Sequence, residues 1–171
     1  MKKIFLLLMA MFAFGLQNVN AQDAPLKIVT NHPDLAFKVK RCAASGKTIV
    51  IDLVATNTGS DDINEFRISP EFCMAYDDEG NVYEGYSGAI GVKIANQKDW
   101  AFPNPALDTR YTIITKLLPG IPCKVSLMIK DFSIEATSIG LLQVGVKCPQ
   151  LNLDGRIEEQ RVKIRNIPVA R

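Results

Sequence analysis

The chain holds one histidine, four widely spaced cysteines, and no apolar run beyond its N-terminal stretch that is long enough to cross a bilayer. Each scarcity removes a class of chemistry. A Ser-His-Asp or Cys-His centre would have to use His32, and the G-x-S-x-G turn that presents a serine nucleophile is absent. A multi-histidine metal site is excluded for the same reason. Zinc sites need close cysteine pairs, whereas Cys42, Cys73, Cys123 and Cys148 stand at least 25 residues apart. The glycines fit neither the phosphate-cradling G-x-x-x-x-G-K-[ST] pattern nor G-x-G-x-x-G. No cofactor is expected. His32 itself precedes a proline in "TNHPD", which predicts an exposed ring on an extended N-terminal arm.

The opening "MKKIFLLLMAMFAFGLQNVNAQ" puts two lysines before an uncharged run, Ile4 to Leu16, and then the small-residue pattern Val19-Asn20-Ala21. Residues 1–21 therefore read as a cleaved signal peptide, and residues 22–171 as one exported domain, periplasmic or extracellular. Removing the leader takes away Lys2 and Lys3, so 18 basic residues face 18 acidic ones. A neutral domain gives no electrostatic reason to expect nucleic acid or an anionic membrane as partner.

Apolar residues recur at every second position, and no long helical period is present. Leu35, Phe37 and Val39 share one strand face, and Ile49, Ile51, Leu53 and Ala55 another. "ASGK" (44–47) is a turn and "NTGSDD" (57–62) a loop. "EFCMAY" and "NVYEGY" read as two short strands, while Ser87 to Pro105 carries little pattern beyond a strand in "AIGVKIA" and a proline-containing loop around Trp100. "RYTIITKLL", "CKVSLMIKDF", "LLQVGVKC" and "EEQRVKIRNIPV" complete the strands, with a short helical turn expected in "SIEATS". About 7–9 strands with Gly, Pro, Asn and Asp turns predict an all-β, immunoglobulin-like sandwich.

Three turns in order, Asn57-x-Gly59, then Asp77-x-x-Gly80-x-x-Tyr83 after Phe72, then Leu117-x-Pro119-Gly120 leading into a strand, resemble bacterial secreted immunoglobulin-like domains of uncharacterised function. The likeness covers roughly residues 35–148. It implies export and the sandwich fold, carries no catalytic residues, and does not call for the four cysteines. An even cysteine number in an exported chain suggests two disulfides. In such a topology Cys123 opens one strand and Cys148 closes the next, both inward and at the same end. That favours Cys123–Cys148, leaving Cys42 with Cys73; Cys73–Cys148 is the competing pair.

Two stretches invite a functional reading. "AYDDEGNVYEG" (75–85) concentrates Asp77, Asp78, Glu79 and Glu84. As a calcium loop it fails, because position 6 counted from Asp77 is Val82 and position 12 is Gly88. As a catalytic carboxylate pair, neighbouring acids on a hairpin tip are too solvated to be driven apart in pKa. A hairpin bend is the expectation, with no metal. The aromatic group Tyr83, Tyr86, Trp100 and Phe102 offers a ligand-contact surface, against the plainer reading that Trp100 and Phe102 fill the core. The expectation is a non-enzymatic module binding a protein or glycan. The alternatives are a carboxylate-dependent glycan hydrolase and a subunit of a surface assembly.

Overall fold

The computed structural model describes residues 24–95, 97–103, 113–148 and 160–171. The expected leader and part of the proline-containing loop lie outside them. Eleven strands are present among the described residues: β1 (Lys27–Val29), β2 (Leu35–Ser45), β3 (Thr48–Asn57), β4 (Ile63–Ile68), β5 (Met74–Asp77), β6 (Val82–Glu84), β7 (Ile90–Ile94), β8 (Ile113–Leu117), β9 (Pro122–Ile129), β10 (Ser138–Lys147) and β11 (Gln160–Pro168). They form two antiparallel sheets. The four-stranded sheet runs β2-β3-β9-β7. The seven-stranded sheet runs β1-β11-β10-β4-β8, and β5 joins the same edge of β10 as β4 and carries β6. The two pack as an immunoglobulin-like sandwich.

Alternation positions the core. In β3 every second residue is buried, with Ile49, Ile51, Leu53 and Ala55 fully inside. Val125, Leu127 and Ile129 of β9 face them on the same sheet, and Leu142, Val144 and Val146 of β10 come from the other. Phe37 of β2 and Phe66 of β4 meet across the sheets with ring centroids 6.4 Å apart. Each fully buried aliphatic side chain contributes about 1.5–3 kcal/mol relative to exposure, so this double layer is the main source of stability.

The structure departs from the expected strand list in four places. β1 pairs with β11 where only an extended arm was expected. β4 ("INEFRI") is an additional strand: its pairing with β8 shifts register between Ile63 and Phe66, so its inward residues are spaced three and then two apart. Pro70–Phe72 is a single 3-10 turn between β4 and β5 rather than the start of a strand. "SIEATS" is irregular chain without a helical turn, in which the buried Ala136 anchors the crossover to β10.

Two buried polar side chains close opposite ends of the sandwich. At one end, Asn57 Nδ2 donates to the Asp61 carbonyl (2.7 Å) and the Leu117 carbonyl (3.2 Å), and its Oδ1 accepts from Gly59 N–H (3.0 Å). The Asn57 carbonyl accepts from Gly120 N–H at 2.8 Å. The Asn-x-Gly and Leu-x-Pro-Gly turns are thus one structure. At the other end, Asp77 organises the β5–β6 hairpin. Its Oδ1 accepts from Glu79 N–H (3.1 Å) and Asn81 N–H (2.8 Å), and its Oδ2 accepts from Asn81 Nδ2 (2.9 Å) and the Tyr83 hydroxyl (2.8 Å). Gly80, at φ +86, supplies the left-handed residue that the bend requires.

The expected disulfides do not form. No disulfide joins Cys42, Cys73, Cys123 and Cys148, so neither Cys123–Cys148 nor Cys42–Cys73 is bridged. Cys123 pairs with Ala55 in the four-stranded sheet, whereas Cys148 follows β10 in the seven-stranded one, so the core layer lies between their strands. The inward phase expected of Cys148 holds. Cys42 is also inward, because a register shift between Val39 and Arg41 turns it into the core. Burial pushes the Cys42 and Cys148 thiols up to about 12, which keeps them protonated and inert.

Asn57→Ala leaves the buried Leu117 carbonyl, the Asp61 carbonyl and the Gly59 amide without their partner. Urea denaturation should show a loss of about 2–3 kcal/mol, with an unchanged slope. A loss below ~0.5 kcal/mol would contradict the role given to this side chain.

Candidate functional site

The four aromatic residues do not form one surface. Tyr83 is a core residue, 7% exposed, stacked on Phe132 at 5.0 Å between centroids. Its hydroxyl donates to Asp77 and accepts from Ser133 N–H at 2.9 Å. It is not available to a ligand, which corrects the expectation for this position. Tyr86, in the turn after β6, is 65% exposed. Trp100 and Phe102 are half-buried and lie beside each other along β7.

Their placement follows from the backbone. Val92 and Ala101 exchange N–H···O bonds of 2.9 Å in both directions, which lays residues 97–103 along the free edge of β7. Gln97 Oε1 caps this ledge by accepting from Ile94 N–H at 3.1 Å, and Lys93 Nζ donates to the Lys98 carbonyl at 3.2 Å. Phe102 then folds over Gly91, where a Cβ would come within 2.4 Å of the ring, so only glycine admits it. Lys130 Nζ sits 3.5 Å from the Phe102 centroid and Lys93 Nζ 5.7 Å from that of Trp100. Phe102 is therefore covered, and Trp100 borders an open hollow of about 360 Å³ lined by Gln97, Lys98, Asp99, Trp100 and Ala101.

The acidic stretch is a hairpin, as its residues predicted. Met74, Ala75 and Tyr76 pair with Glu84, Tyr83 and Val82. Its carboxylates are employed internally. The oxygens of Asp77 are taken by the four donors described above. Asp78 accepts from Thr137 N–H (3.1 Å) and the Thr137 hydroxyl (2.5 Å), tying the hairpin to the crossover before β10. Burial works to raise the Asp78 carboxyl, but these bonds and the Ser138 amide hold it below the ordinary range. Glu79 and Glu84 are exposed. No group of three or more His, Cys, Asp or Glu side chains among the described residues is placed to hold a metal.

A further carboxylate stands on the outer face of the four-stranded sheet. Asp52 accepts from the Ser126 hydroxyl at 2.6 Å and pairs with Arg41 (3.3 Å) and Lys124 (3.4 Å). Burial opposes its ionisation, yet Ser126, Lys124 and Arg41 together keep its pKa below the ordinary aspartate value.

His32 overturns the expectation of an exposed ring: it is 3% exposed. Its Nδ1 accepts from Asp34 N–H at 2.9 Å, so a tight turn, rather than an extended arm, draws the ring inward. The proton of the neutral ring is then assigned to Nε2, which is buried and has no partner. His32, Asp34, Asn57, Gly59, Ser60, Asp61, Asp62 and Ile63 line a polar hollow of about 310 Å³. The residue before a proline gave no signal of this, because the burial comes from the Asn57 loop closing over it: Thr58 N–H donates to the Asp34 carbonyl at 2.8 Å.

Burial lowers the His32 pKa against the opposing pull of the Asp34 carboxylate. A base depressed in the folded state binds its proton more readily when unfolded. Its contribution is therefore complete above the unfolded value of about 6.5 and is lost as pH falls below it. The melting temperature should be level above about pH 7 and fall as pH drops below about 6.5. His32→Asn, which retains an acceptor near the Nδ1 position, should flatten that fall. An equal fall in the variant would contradict the assignment.

No protein-family model and no curated protein matches this chain.

Proposed function

We propose that the protein is an exported, non-enzymatic binding module whose ligand is a glycan, seated on the Trp100 ledge. The observation that carries this reading is a half-buried indole held on a hydrogen-bonded edge segment beside an open hollow with amide, carboxylate and ammonium side chains. A sugar ring presents an apolar C–H face to an aromatic ring and hydroxyls at its rim. Gln97 Nε2, Asp99 and Lys98 supply donors and acceptors for those hydroxyls. Pinning by Val92 and Gln97 means that little ordering entropy remains to be lost on binding. The internal commitment of Asp77 and Asp78 favours this reading over a hydrolase using the hairpin acids.

A second reading, a subunit that offers a strand to a neighbour, is favoured by β8. Among the described strands it pairs on one side only, with β4, and it carries the exposed Ile114.

Trp100 is the only tryptophan, so intrinsic fluorescence reports on the site directly. Titration with a panel of neutral oligosaccharides should shift its emission for at least one member. Trp100→Ala should weaken that binding by about 2 kcal/mol, roughly thirtyfold, with little change in stability. Binding that survives in Trp100→Ala would move the site elsewhere, and a concentration-dependent dimer lost on Ile114→Lys would favour the strand-edge reading.

A further inference from the structure

The charge balance of residues 22–171 conceals a strong separation of charge. β1, β10 and β11 contain Lys27, Lys147, Arg161, Lys163 and Arg165 and no carboxylate. Alternation turns these residues the same way. Val162 and Ile164 of β11 are buried, so Arg161, Lys163 and Arg165 line the outer face. Register extends the line in both directions: Lys27 stands opposite Arg165 on β1, Gln143 opposite Lys163 on β10, and Lys147 opposite Arg67 on β4. The result is a diagonal stripe of six cations across the seven-stranded sheet, about 20 Å long at ~3.4 Å per residue.

Arg67 pairs with Glu65 at the far end of the stripe, and Arg161 donates to Gln143 Oε1 at 3.3 Å. No carboxylate among the described residues lies within ion-pair distance of Lys27, Lys163 or Arg165. Lys27 and Arg165 directly face each other, an arrangement that destabilises an antiparallel pair unless a counter-charge covers it.

We infer that this stripe is a binding track for an extended anionic polysaccharide, distinct from the Trp100 hollow on the opposite sheet. A narrow line of charge along a flat sheet matches a linear polymer better than a membrane plane. No aromatic residue occurs in β1, β10 or β11. The rings beside the track are half-buried and engaged within the protein: Phe72 lies over Gly145 and is capped by Lys147 Nζ at 4.8 Å, and the hydroxyl of Tyr76, opposite Leu141, donates to Met74 Sδ at 2.8 Å. The face thus lacks the row of open stacking platforms on which single-stranded nucleic acid depends. Gln143, in the middle of the track, offers its amide to hydroxyls between the acidic groups. The charges draw the polymer along β11, and the amide fixes its register.

The test is binding of polygalacturonate to the purified protein at low salt, with neutral dextran, single-stranded DNA and anionic phosphatidylglycerol vesicles as parallel probes. Polygalacturonate should bind, and its affinity should drop steeply with added salt. The double variant Lys163→Gln/Arg165→Gln should lose at least about tenfold in affinity at an unchanged melting temperature, and Lys27→Gln/Arg161→Gln should repeat the loss independently. Trp100→Ala should leave it unchanged, which separates this track from the glycan ledge. No binding of polygalacturonate, full binding by both double variants, or tighter binding of DNA or vesicles would each overturn the proposal.

Discussion

Asn57 is the side chain on which the ordering of one whole end of the sandwich depends. It is fully buried, and a buried amide is tolerated only when its hydrogen bonds are made. Its side chain makes them to the 59–61 loop and to the end of β8, while its backbone carbonyl accepts from Gly120 in the turn that opens β9, so β3 of one sheet is tied to β8 of the other. The same closure draws the Asp34 turn under the loop and buries His32. Asp77 does the equivalent work at the opposite end, where one carboxylate satisfies two amides, an asparagine and a tyrosine. Both ends are therefore committed to holding the fold, and the outer faces of the sheets are left to meet other molecules.

Electrostatics follow the same division. Asp34, Asp61, Asp62, Asp78, Glu79, Asp99, Asp131 and Glu135 lie in turns and loops, while most of the described lysines and arginines occupy strand positions. Asp52, Glu65, Asp77 and Glu84 are the described acids on strands; Asp52 is enclosed by Arg41, Lys124 and Ser126, Glu65 pairs with Arg67, and Asp77 is taken up in its hairpin. Summed over residues 22–171 these charges cancel, so composition alone gave no reason to expect a charged partner. Once strand register assigns each residue a face, the cancellation disappears on β1, β10 and β11. Net charge is an average over surfaces that a ligand never samples together.

Much of the fold was legible because period-two alternation depends only on which residues face water. β3 carries that signal without interruption, and β9 and β10 carry it in their inward apolar residues from Val125 and from Leu142 onward. It fails where the register slips. The shift between Ile63 and Phe66 hid β4, and the one between Val39 and Arg41 reversed the apparent phase of Cys42. Cross-sheet distances are not written in local pattern either, so an inward phase for Cys148 did not amount to a bridge. The candidate site was legible only in part. Trp100 was visible as an isolated indole near prolines, but its ledge exists through Val92 pairing with Ala101, a contact no spacing rule predicts. Tyr83 and Tyr86 looked equivalent, and they differ because strand alternation sends one inward to Asp77 and the other falls in the following turn.

Amide chemical-shift mapping during titration with polygalacturonate and with a neutral oligosaccharide tests most directly whether the ends hold the fold and the faces bind. The account predicts shifts along β11 and Gln143 for the acidic polymer, shifts around Trp100 for the neutral sugar, and none at Asn57, Gly59, Asp77 or Asn81. Shifts concentrated in the Asn57 or Asp77 turns, with the sheet faces silent, would contradict it.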